Sequence, residues 1–97
     1  MFDEFYFEFS AQKNALLQQE RNISFEQIIV LMETGNIASV KPHHNQKKYP
    51  NQYIVEVVSD DYIYLVPFVI EKSKIFLKTI YPSRKATKNY TKGKKDA

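Results

Sequence analysis

Three runs rich in β-branched and aromatic residues occupy the second half of the chain: Gln52 to Ser59, Asp61 to Ile70 and Lys74 to Tyr81. Only Asp60-Asp61 and Glu71-Lys72-Ser73 separate them, and polar connections that short join strands as hairpins. The segment is expected to be an antiparallel β-meander. Its middle run is apolar on both faces, with Tyr62, Tyr64, Val66, Phe68 and Ile70 alternating with Ile63, Leu65 and Val69. A strand of that kind belongs at the centre of a sheet, with helices over at least one side. Pro67 interrupts it; because proline has no ladder donor, it marks a bulge or the point where the strand becomes an edge.

The first third of the chain supplies the helices. Phe5, Phe7 and Phe9 alternate with Tyr6 and Glu8, so Glu4 to Phe9 reads as a short strand that pairs with a later one. Ser10 is a good N-cap for a helix over Ala11 to Glu20, with Ala15 and Leu16 along one side and Ala11 and Gln19 as further candidates for it, and Asn22 is suited to stop it in a left-handed conformation. Ser24 and Gln27 fit a capping box, and Ile23 and Ile28 a hydrophobic staple across it. The second helix then runs from about Phe25 to Thr34, burying Phe25, Ile28, Ile29 and Met32, and ends at Gly35. Asn36 to Asn51 turns polar and reads as a long loop, a length that in a small domain points to function or disorder. After the meander, Ser83 caps a short helix over Arg84 to Tyr90. The fold class is α+β: an N-terminal strand and two helices packed on an antiparallel meander, with a short C-terminal helix. Ninety-seven residues, 43% of them hydrophobic, suffice for one core. One domain over residues 1–90 and a basic flexible tail over 91–97 are expected.

Charge is divided along the chain. Residues 1–35 hold six acids against two bases, a net −4, and residues 36–97 hold twelve bases against five acids, a net +7, together the overall +3. A basic half of this kind points to a polyanionic partner, although a solubilising tail has the same look. The absence of cysteine excludes disulfides and thiol chemistry and suits a reducing compartment. Asp3, Glu4 and Glu8 stand where a secretory signal has positive charge, and the longest apolar stretch, Tyr62 to Ile70, is well short of the ~20 residues of a membrane helix. The expected location is cytoplasmic, without membrane association.

No phosphate-binding loop, dinucleotide motif, zinc-protease helix or nucleophile elbow is present, and the two glycines, Gly35 and Gly93, leave little scope for backbone cradling of phosphate. His43 and His44 are neighbours in the polar loop without acidic or sulfur ligands near them in sequence, so neither a metal nor another cofactor is expected. What remains is cations among aromatics. Lys78 lies in the last β-run, Arg84 and Lys85 follow it, and Lys88 is one helical turn past Arg84. Tyr49, Tyr53, Tyr81 and Tyr90 flank these segments and offer faces on which unpaired bases stack, although Tyr53 and Tyr81 suit core packing as well. RNA is cleaved without metal when a base removes the 2′-hydroxyl proton, a cation stabilises the phosphorane and an acid protonates the leaving 5′-oxygen. His43 or His44 suits the base or acid, Arg84 and Lys78 the phosphate clamp, Glu26 a base or an orienter, and Tyr49 an acid. A solvated loop explains the histidines equally, and the helix dipole explains Glu26 at the second helical position.

Two local strings carry a family resemblance. Phe9-Ser10, Lys13-Asn14 and Arg21-Asn22-Ile23-Ser24-Phe25-Glu26 form the first, and Ile80-Tyr81-Pro82-Ser83-Arg84-Lys85-Ala86-Thr87 the second. In both the chain resembles the BrnT family of bacterial toxins, small ribonucleases of RelE-like fold that a partner antitoxin neutralises. The strings bracket Phe9 to Tyr90. The second is the more specific, since Arg84-Lys85-Ala86-Thr87 directly follows a β-run, as in the family. Lys48-Tyr49 is similar to an Arg-Phe pair at the start of the family's meander, which makes Lys48 a further phosphate contact. Where the family has a histidine and a glycine, this chain has Arg21 and Asn22, and Phe9-Ser10 replaces Trp-Asp. The resemblance implies a toxin of a type II toxin-antitoxin system, a metal-independent RNA endonuclease whose partners are single-stranded messenger RNA and a cognate antitoxin. It implies Lys13, Arg21, Glu26 and Arg84 as the functional set. The alternative is a non-catalytic module that binds RNA or protein through the same basic surface.

Overall fold

The computed structural model describes residues 4–96, with side chains as far as Lys92. Met1 to Asp3 of the acidic N-terminus and Ala97 of the basic C-terminus lie outside the described residues. The order is β1 (Tyr6–Phe9), α1 (Ala11–Arg21), α2 (Phe25–Glu33), β2 (Ile37–Pro42), β3 (Gln52–Ser59), β4 (Tyr62–Glu71), β5 (Lys74–Leu77), β6 (Tyr81–Pro82) and α3 (Arg84–Asp96). The strands form one sheet in the order β1-β5-β4-β3-β2, with β6 also on β4. β2 to β5 pair antiparallel, as the meander predicts. The N-terminal strand pairs parallel with β5, Phe7 opposite Ile75 and Phe9 opposite Leu77, which makes the sheet mixed.

Hairpin chemistry follows the polar connections. Asp60 and Asp61 both have positive φ, 51° and 64°, as a two-residue turn between β3 and β4 requires. Pro67 sits at the break in the last run. Its carbonyl accepts from the Lys78 N–H at 2.8 Å, beyond the end of β5 and before β6 begins. In an antiparallel strand the nitrogen and carbonyl of one residue face the same neighbour. The donor that Pro67 lacks is therefore absent at the gap between β5 and β6, and β4 keeps its full pairing with β3 on the other side. The run expected as one strand, Lys74 to Tyr81, is for this reason two short strands.

One face of the sheet carries Val55, Val57, Val66, Phe68, Ile75 and Leu77, all buried against Leu17, Ile23, Phe25, Ile28 and Met32 of the α1–α2 layer and its connection. The Ser24–Gln27 capping box, the left-handed Asn22 (φ 54°) and Gly35 (φ 83°) hold the helix ends as the sequence predicts. α1 is the exception in its choice of side: Leu16 is 48% exposed and Ala15 is exposed, and the helix buries Asn14 and Leu17. The side predicted from Ala15 and Leu16 faces solvent, and the polar Asn14 is one of the two buried residues of the helix.

Two further segments differ from expectation. Ile37–Pro42, predicted as the start of a loop, is the edge strand β2. A register shift between Ile37 and Ser39 spoils the apolar alternation, and an exposed edge tolerates Lys41 and Pro42. α3 continues helical through Asp96, beyond the Tyr90 boundary and through most of the stretch expected as an unstructured tail. Thr91 contributes by donating its hydroxyl to the Thr87 carbonyl at 3.0 Å. α3 lies on the sheet face opposite α1 and α2, where the Thr87 hydroxyl accepts the Ile63 N–H at 2.8 Å and Ser83 caps the Ala86 N–H at 3.1 Å. β4 is thus covered on both faces. Among the described residues no helix is long and apolar enough to cross a membrane.

Candidate functional site

The first of the two strings builds a clasp between helices. Asn14 is buried in α1; its Nδ2 donates to Glu26 Oε1 at 2.7 Å, and its Oδ1 accepts the Phe25 N–H at 2.7 Å. Phe9 stacks on Phe25 with ring centroids 4.9 Å apart. The Asn14 hydrogen bond, followed by the backbone N–H of Glu26 itself, holds the Glu26 carboxyl below the usual carboxylate range, which makes it a weaker base and keeps it ionised. Arg21, the last residue of α1, donates from its guanidinium to the Ile80 carbonyl between β5 and β6. Lys13 is half-buried in the first turn of α1, where its backbone N–H donates to the Ser10 cap. In the second string, Ser83 and Thr87 seat α3, while Arg84 and Lys85 are exposed.

The remaining candidates gather in two cavities. The first, about 500 Å³, has His43, His44, Tyr53, Lys78 and Tyr81 in its wall. Ile54, Pro67 and Tyr81 also line it; Ile54 pairs with Pro67 and Tyr81 with Leu65, so by register these alternate with the core residues Val55 and Val66 and belong to the sheet face opposite α1 and α2. Three regions distant in sequence meet there: the loop after β2, the start of β3 beside the middle of β4, and the β5–β6 gap that Pro67 opens. The second cavity, about 590 Å³, lies along α3, where Arg84, Lys85, Lys88 and Thr91 face Tyr62 at the start of β4. The two share no lining residue. Lys78 belongs with the histidines, and Arg84 with Lys85 and Lys88.

The loop beside the first cavity is folded by its own bonds. His43 N–H donates to the Gln52 carbonyl at 2.8 Å, Gln46 Nε2 to the His43 carbonyl at 2.7 Å, and Lys48 N–H to Asn45 Oδ1 at 3.2 Å. The His43 ring stacks on His44 at 4.4 Å and meets Tyr49 at 4.5 Å, and Lys48 Nζ lies 5.4 Å from the Tyr49 ring centre. His43 Nδ1 accepts the Asn45 N–H at 3.0 Å, so in the neutral ring the proton sits on Nε2, which can then donate and not accept. Partial burial, with the charges of His44 and Lys78 beside it, pushes the His43 pKa down from 6.5 and favours that neutral form.

Sequence reasoning missed Tyr62 as a cavity residue, since nothing in a strand's first position separates a wall residue from a packing one. It treated Lys78 and Arg84 as one phosphate clamp because they lie close in the chain. The break at Pro67 is what sends them to different cavities. Among the described residues, the ion pairs Lys41 with Glu56 and Lys74 with Glu8, both at 3.8 Å, involve neither. Compared with protein-family models, characterised proteins and solved structures, the chain matches none.

Proposed function

We propose that this chain is a metal-independent RNA endonuclease whose chemistry takes place in the His43–His44–Lys78 cavity. The observation that carries the reading is the convergence of two imidazoles, an exposed ammonium and the Tyr81 phenol from separate chain segments in one cavity of about 500 Å³, on the sheet face opposite α1 and α2. In this reading His44 removes the 2′-hydroxyl proton, and the 2′-oxygen attacks phosphorus. The charge of the phosphorane is balanced by Lys78 and by the Nε2–H of His43. Tyr81 supplies the proton as the bond to the 5′-oxygen breaks. The products are a 2′,3′-cyclic phosphate and a free 5′-hydroxyl. Tyr49 offers its ring to a flanking base, whereas the Tyr53 ring stacks on Phe68 on the core side of the sheet.

The role of a toxin held in check by an antitoxin rests on the resemblance to BrnT proteins, and on this reading the antitoxin covers the basic face. A second reading, a binding module without turnover, is favoured by one observation: Arg21 and Glu26, two of the four residues that the resemblance implies, are engaged in internal hydrogen bonds. Incubation of the isolated protein with single-stranded RNA in EDTA between pH 5 and 8 separates the two. Nuclease action gives fragments with cyclic phosphate ends, lost in His44→Ala and Lys78→Ala proteins of unchanged circular dichroism. Salt-sensitive binding without fragments at any pH selects the binding module.

A further inference from the structure

The α3 cavity lies outside the chemistry just assigned. Arg84, Lys88 and Thr91 are spaced four and three residues apart along α3, so they share one face of the helix. Tyr62 stands opposite them, with its ring 5.7 Å from that of Tyr64 and tilted by 56°. Arg84, Lys85 and Lys88 are all exposed. Cations along one wall and an aromatic ring on the other are the two elements that hold an unpaired nucleotide, its phosphate on the charges and its base on the ring. An acidic peptide would use the charges but has no aromatic group to match the ring.

Position makes the cavity part of a track. Tyr81 lines the histidine cavity and Arg84 the α3 cavity, three residues apart, a span of at most about 11 Å. Along β4, Pro67 lines the first and Tyr62 the second, five residues and so roughly 17 Å apart; the odd spacing directs their side chains to opposite faces of the sheet, so an RNA strand that reaches both bends around the sheet between them. A single strand rising about 3.4 Å per nucleotide needs at least roughly three to five steps to cover these distances.

We infer that the Tyr62–Arg84–Lys88 cavity is a nucleotide-holding subsite, which anchors a single RNA strand a few nucleotides away from the phosphodiester in the histidine cavity. The inference rests on the reading of the exposed cations as RNA-binding, but not on cleavage. Arg84 is in this assignment a binding residue and not a catalytic one.

The test uses oligouridylates with 2′-O-methyl groups, which cannot form the attacking 2′-oxygen, so a protein without nuclease activity gives the same answer as one with it. Binding is followed by fluorescence anisotropy as length grows from two to six nucleotides. Wild-type affinity is expected to rise at least about tenfold once a base reaches Tyr62. In the Arg84→Ala, Lys88→Ala double variant, at two exposed positions, that rise falls to under about threefold, and the dependence of log affinity on log salt flattens by about 1.4, at about 0.7 for each lost phosphate contact. Tyr62→Leu removes the ring and lowers hexamer affinity about tenfold with the salt dependence kept. A length-dependent rise that survives the double variant overturns the inference, as does a wild-type affinity that does not grow with length. So does a hexaglutamate peptide that binds as tightly as the hexamer with the same loss in the double variant.

Discussion

On the helical side of the sheet, polar groups answer to one another: Asn14 to Glu26 and to the Phe25 N–H, Ser24 to Gln27, Arg21 to the Ile80 carbonyl. Outside that layer, Lys78, Arg84, Lys85, Lys88 and His44 stand exposed around two cavities. Both regions hold residues that look functional in the sequence, and charge type does not tell them apart. The difference lies in what each group is bonded to. A carboxylate or guanidinium satisfied by its own chain stabilises helix docking, and would have to break those bonds to act on a substrate. An exposed cation lining a cavity has no such bond to give up.

The comparison can be broken most sharply at Lys78. On the proposed reading, Lys78→Ala lowers the single-turnover rate of RNA cleavage by about a hundredfold or more, as loss of a group that stabilises a developing oxyanion does. The melting temperature should stay close to that of the wild type, since the side chain is exposed. Asn14→Ala is the mirror image. It leaves the Phe25 N–H buried without an acceptor and removes a second hydrogen bond, at a cost of about 2–3 kcal/mol in urea denaturation. The cleavage rate per folded molecule is expected to hold.

Glu26→Gln sharpens the contrast further. The amide oxygen still accepts from Asn14, so the urea midpoint should move little, and cleavage should change less than about threefold. A general base at this position would instead show a loss of about a hundredfold or more, and single-turnover kinetics distinguish the two.

The smallest expected effect concerns pH. The folded pKa of His43 is depressed below 6.5, so the folded state binds fewer protons than the unfolded one in the interval between the two values. Its contribution to stability is present above pH 6.5 and is lost as pH falls through the folded value. Glu26, also depressed, follows the same sign below 4.5. Urea midpoints should therefore decline in two stages on acidification. The first stage should vanish in His43→Asn, whose side-chain oxygen still accepts from Asn45.

Much of the fold was legible because its rules are local. The Ser24–Gln27 box, Asn22, Gly35 and the Asp60-Asp61 turn each declare a backbone conformation within a few residues. The meander followed from composition and short connections, and Pro67 announced a break whose consequence, the division into β5 and β6, needed the register. Less was legible where the cause is tertiary. β2 is an edge with a register shift, so its residues carry no clean alternation. Asn14 faces the interior because α2 offers it a donor and an acceptor, partners that a hydrophobic pattern does not weigh. The candidate residues were recognisable by type, but their grouping was not. Lys78 and Arg84 are six positions apart and line different cavities, while His43 and Lys78 are thirty-five apart and line the same one.

The face assignment is open to direct measurement by nitrogen-proton NMR, with the 2′-O-methyl hexauridylate titrated into the isotope-labelled protein. The account predicts that amide shifts concentrate at His43 to Tyr49, at Lys78 to Tyr81 and along the first turns of α3, while Asn14, Phe25 and Glu26 stay in place. Shifts centred on Lys13, Arg21 and Glu26, with the His43 loop and α3 unmoved, would contradict it.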